Sequence, residues 1–147
     1  MANNHWRTFP RWMLEEHEIE LQFNAQLATG RAAEVTARIQ REPATLQVVL
    51  ALLGNPSTAL STRIGIGVVM EDLAGSALLK SAVATLGELS QHPDVTIRSD
   101  ACHYLGLSGD ARAMPFLQAR LHDQAAEVRD VAADALATLT PDSPPSD

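Results

Sequence analysis

A segment near the C-terminus repeats at a fixed interval, and this limits the possible folds more than any other feature. Val95-Thr96-Ile97-Arg98 aligns with Ala126-Glu127-Val128-Arg129 at an offset of 31 residues. At that offset Ala101 falls on Ala132, Leu105 on Leu136 and His92 on Asp123. Weaker echoes relate Arg63 to Arg98 at 35 residues and Gly75 to Gly109 at 34. Such an interval holds one pair of short helices with their turns. One hairpin of this kind cannot bury its own apolar face, but a stack can, because each pair covers the last.

The rest of the chain agrees with a helical reading. Alanine and leucine are abundant, aromatics are scarce, and no strand-like alternation persists. Gly30, Pro43, Gly54-Asn55-Pro56, Gly75, His92-Pro93 and Gly109-Asp110 mark turns at short intervals. Helices are expected over residues 12–28, 31–41, 43–53, 59–73, 77–89, 94–107, 111–121 and 125–139. The first has Ile19, Phe23 and Leu27 on one stripe. The fourth holds Gly65 and Gly67, which cost a helix roughly 1 kcal/mol each against alanine and suit close approach of a neighbour or a bend. Pro115 requires its helix to start late. Residues 1–11 read as a flexible arm, 12–139 as a single helical-repeat domain and 140–147 as a disordered tail.

The stretch HPDVTIRSDACHYLGLSGDARAMPFLQARL, followed by HDQAAEVRDVAADALATL, resembles HEAT repeats of the short bacterial, phycobilisome-lyase-like type. The resemblance rests on Asp94 and Arg98 in a D-x-x-x-R opening, on an alanine-rich first helix, and on the turn from Leu105 to Asp110. It covers about 48 residues well, residues 59–91 weakly, and residues 1–55 only in being helical. It implies an all-α, α-α superhelix (a HEAT-like, armadillo-like solenoid) of about seven to eight short antiparallel helices. It also implies a binding scaffold, by analogy of fold. Asp94, Arg98 and Arg129 are expected to make structural pairings between repeats. Each arginine is expected to reach a carboxylate or a backbone carbonyl of the adjacent unit, with Asp94, Asp100, Asp123, Asp130 and Asp134 as the candidate carboxylates. The second copy has Ala125 where the first has Asp94, so Asp123 is a candidate substitute cap. The repeat also stops after one helix. A stack that stops there presents an uncapped apolar side, which either the N-terminal helices or the tail fold back to cover or another molecule covers. We expect residues 125–139 to form a homodimer or partner interface.

Composition excludes several kinds of chemistry. Cys102 is the sole cysteine, so no disulfide forms within the chain, and a packed apolar role is expected for it. A reducing, cytoplasmic setting follows as an expectation. Residues 1–12 lack the apolar core of a signal peptide. No apolar run approaches the roughly 18 residues that span a bilayer. The formal net charge of −7 opposes non-specific nucleic-acid binding. Glu34 and Glu42 interrupt the cluster of Arg31, Arg38 and Arg41.

No histidine pair has zinc-motif spacing, and His17-Glu18 is a single pair where a di-iron site needs several. Glu15, Glu16, Glu18 and Glu20 read as a solvated acidic face. Cys102 and His103 point about 100° apart on a helix, poor geometry for a thiolate–imidazole pair. We expect no metal, no cofactor and no catalytic residues. The most suggestive feature is the arm, where Trp6, Arg7, Phe9, Arg11 and Trp12 combine the aromatic and guanidinium groups that anchor interfaces. The sequence-level expectation is a non-catalytic protein-binding scaffold or adaptor, such as an assembly or accessory factor. The alternatives are an enzyme or active-site subunit and a nucleic-acid-binding HEAT-like protein.

Overall fold

All regular structure among the described residues is helical, in a computed structural model that describes residues 9–140. Trp6 and Arg7, with the rest of residues 1–8, and residues 141–147 of the tail expected at 140–147 lie outside the described residues. The chain divides into two compact units, Met1–Ile66 and Gly67–Asp147.

The N-terminal unit holds α1 (Arg11–Ala28), α2 (Ala32–Arg41), a 3-10 turn at Pro43–Thr45 and α3 (Leu46–Leu53). It also holds the start of α4 (Leu60–Asp72), inside which the division falls. Helix α1 stops because Gly30 takes a left-handed φ of 78°, which lets the Arg31 N–H turn back onto the Gln26 carbonyl at 2.8 Å. Pro43 opens the turn into α3, where its missing N–H costs nothing. Helix α1 packs on α2 and α3. Phe23, Leu27, Val35, Ile39, Val49 and Leu53 form the core. In α1, only its second half takes part. Among residues 11–18 all are exposed except Leu14, which is half-buried.

Gly65 does not bend α4. It lies against the backbone of Leu27, where a Cβ would clash, so close approach to α1 is its role. The Thr62 hydroxyl, buried in the same contact, donates to the Asn24 side-chain oxygen at 2.9 Å.

The C-terminal unit contains the remainder of α4, then α5 (Ala77–Lys80), α6 (Val83–Leu89) and α7 (Val95–Leu107). A 3-10 turn at Ala111–Ala113, α8 (Met114–Arg120) and α9 (Ala126–Leu139) follow. The single helix expected over residues 77–89 is interrupted at Ser81–Ala82, so eight expected helices appear as nine among the described residues. The Ser81 hydroxyl donates to the Leu78 carbonyl and the Ala82 N–H to the Leu79 carbonyl, a tightened turn that ends α5. Pro115 is accommodated because α8 starts at Met114, directly after the 3-10 turn.

Helix α7 packs on α9 and α6, and α8 packs on α9. Ile97, Ala101, Leu105, Leu117, Val128 and Ala132 are fully buried along this seam. Each such leucine or isoleucine contributes about 1.5–3 kcal/mol of burial. Gly106 lets α9 come close, since a Cβ there would stand 2.8 Å from that of Ala135.

The apolar side of α9 is largely covered within its own unit. Val128 is buried, and Val131, Leu136 and Leu139 are half-buried. The exposed positions hold Ala126, Glu127, Arg129, Asp130, Ala133, Asp134, Ala137 and Thr138. Small, polar and charged residues need no apolar cover. No helix of the described residues is long and apolar enough to cross a membrane.

Candidate functional site

The N-terminal unit carries the main apolar exposure. Phe9, Trp12, Met13 and Leu21 on and before α1 are exposed, as are Leu60 and Ile64 on α4, at 74% and 63%. Single exposed apolar residues are ordinary, so it is their number in this unit that stands out. Phe9 and Trp12 are therefore available as contacts. Arg11 is exposed, and its Nε donates to Glu15 at 3.1 Å within its own helix. The exposure at Leu60 and Ile64 was not foreseen. Their spacing of four residues is the same as that of Phe23 and Leu27, which are buried.

The arginine cluster of this unit is largely neutralised. Arg31 pairs with Glu34, and Arg38 Nε donates to Glu42 at 3.1 Å. The arginines thus offer no uninterrupted cationic stripe for phosphates.

In the C-terminal unit the repeat has a clear polar counterpart. Arg98 on α7 reaches the loop before α9, where its Nε and Nη2 donate to the two carboxylate oxygens of Asp123, each at 3.0 Å. Its Nη1 donates to the carbonyls of His92 and Pro93. Arg129, 31 residues later, gives its Nη1 to the carbonyls of Asp123 and Gln124 in the same manner. The turns match as well. The Asp94 N–H donates to His92 Nδ1, and the Ala125 N–H donates to Asp123 Oδ1.

Among the aspartates considered, Asp123 is thus the partner of Arg98. Asp94 takes no part in that pairing: its Oδ1 accepts the Ile97 N–H and caps α7. Arg129 holds carbonyls of the loop before its own helix, so its partners here are backbone carbonyls, one of the two kinds expected.

The Asp123 side chain is 2% exposed and that of Arg98 is 13%. Arg120 completes the cluster, donating from Nη1 to Asp123 Oδ2 at 3.1 Å. Burial alone would raise the Asp123 carboxyl. The hydrogen bonds from Arg98 and from the Ala125 N–H, with the charges of Arg98 and Arg120, outweigh that and hold it below its ordinary range. A buried carboxylate gripped by a forked guanidinium is a rivet between two repeats.

Cys102 is fully buried on α7, and burial pushes its thiol up to about 11. A thiol held protonated in this way is a packing group, since the nucleophile is the thiolate. Asp110 is held at about 2 by hydrogen bonds from the Arg112 side chain and N–H. Among the described residues no group of three or more histidine, cysteine or acidic side chains is arranged to hold a metal ion.

Residues 68–137 match the family described as HEAT repeats. That span lies wholly within the C-terminal unit. No curated protein sequence gives a significant match to the chain.

Proposed function

We propose, on the premise that residues 68–137 match HEAT repeats, that this chain is a non-catalytic scaffold or adaptor that docks another protein on its N-terminal unit. Helical-repeat stacks provide rigid, extended surfaces, and binding is their common use. The observation that carries the reading is the exposure of Leu21, Leu60 and Ile64, and of Phe9 and Trp12 at the start of α1, all within one unit. The candidate anchors are Trp6, Arg7, Phe9, Arg11 and Trp12, whose side-chain types suit protein interfaces. The partner is a protein with a complementary apolar face, within which this chain serves as an assembly or accessory subunit. The lone, buried Cys102 supports a cytoplasmic setting for it.

The test is affinity capture from native lysate with the full chain as bait, beside a Leu60→Ser/Ile64→Ser variant. The expected result is loss of the specific partner with the melting temperature unchanged. An undiminished set of captured proteins overturns the reading. A second bait lacking residues 1–11 addresses the anchors. Loss of the partner without loss of stability assigns them to the contact, while a large fall in melting temperature shows that they cover the fold.

A further inference from the structure

We propose that the hollow between the α6–α7 loop and the α8–α9 loop is an oxyanion site that takes a phosphate group. This goes beyond the docking surface, involves the other unit, and stands or falls without it.

The hollow has a volume of about 360 Å³, and Gln91, His92, Arg98, Arg120, His122 and Gln124 supply its N–H groups. Its one carboxylate is Asp123, which already accepts four N–H groups: two from Arg98, one from Arg120 and one from Ala125. A cation entering here finds that carboxylate occupied and two guanidiniums beside it. An anion finds donors still available.

Arg120 is the main one. It gives Asp123 a single hydrogen bond from Nη1, and its buried Nε has no acceptor. A buried donor without a partner is costly, and Arg120, which lines the hollow, is a guanidinium with hydrogen-bonding capacity left over. His92 contributes next. Its Nδ1 accepts the Asp94 N–H, so the neutral ring carries its proton on Nε2 as a donor. His122 and Gln124 are exposed beside it. Two guanidiniums against one carboxylate leave the hollow positive, within a unit where acidic residues outnumber basic ones. Arginine's fixed fork suits phosphate oxygens. A phosphate group reaches this hollow either as a free anion or on a phosphorylated side chain of a partner.

The experiment is a titration of the full chain with inorganic phosphate at constant ionic strength, with chloride as the compensating ion, following the Arg120 Nε–H signal by NMR. The expected result is a saturable shift. Arg120→Gln, followed through the backbone amides of residues 121–125, should weaken binding about tenfold, as loss of a charge-assisted contact implies. His122→Ala should weaken it about threefold on the same principle, and it leaves the Arg98–Asp123 pair intact, so the proposal remains testable if Arg120→Gln does not fold. Arg112→Gln, outside the hollow, should bind as the native chain does. A short phosphoserine peptide distinguishes the sources. Tighter binding than phosphate assigns the site to a partner-borne group, and equal binding assigns it to the free anion. A non-saturable response to both probes, or equal weakening by Arg112→Gln, overturns the proposal.

Discussion

The two units of the chain handle their apolar residues in opposite ways. The C-terminal unit, where the HEAT match lies, leaves Val68 and Leu121 as its exposed large apolar side chains among the described residues. The N-terminal unit leaves Phe9, Trp12, Met13, Leu21, Leu60 and Ile64. Repetition explains the first. Each helix pair is built to cover the last, and Arg98 fixes one repeat to the next through Asp123. In the second, α1 outruns what α2 and α3 can cover, and its first two turns stand in solvent. One unit has closed its surface around a polar rivet, and the other leaves a set of large apolar side chains exposed.

The largest expected effect breaks the rivet. Asp123→Ala leaves Arg98 partly buried without its carboxylate, and the C-terminal unit should lose about 3–5 kcal/mol, read from urea unfolding. The pH dependence sharpens the same point. A depressed carboxyl stabilises the fold above its unfolded value, and that contribution disappears as pH falls through the folded value. Native stability should therefore fall steeply below the ordinary aspartate value of 3.8, and Asp123→Asn should start lower and give a flatter profile. Asp110, held at about 2, adds to the native slope in that window.

Next in size is Gly65→Ala, which drives a methyl into the Leu27 backbone. Overpacking typically costs about 1–3 kcal/mol, and improved helix propensity returns roughly 1 kcal/mol of it. Thermal unfolding should show a net loss. The smallest effect is expected on the open surface. Leu60→Ser with Ile64→Ser should change stability by less than about 0.5 kcal/mol per site, because nothing described covers those residues. A larger loss would mean that the exposed stripe belongs to a core.

Much of the C-terminal unit was legible from the 31-residue offset. It places α7 over α9 in register, aligns His92 with Asp123, and marks Arg98 and Arg129 as equivalent. The partner of Arg98 was not legible, because five aspartates lie within reach in sequence and only the folded loop brings Asp123 to it. The break at Ser81–Ala82 left no sign either, since alanine and serine continue a helix as readily as they end it. In the N-terminal unit, periodicity marked apolar stripes but could not show which ones lack a cover. Leu60 and Ile64 repeat with the same spacing as Phe23 and Leu27, and burial depends on what packs opposite. Gly65 could be read as a bend or a close contact, and only the Leu27 backbone decides between them.

Amide hydrogen exchange on the intact chain measures the contrast between the units most directly. If the repeats bury one shared seam, the amides of α7 and α9 exchange slowly and together, while those of residues 11–18 exchange fast. Exchange in α9 as rapid as at the start of α1 would contradict the account.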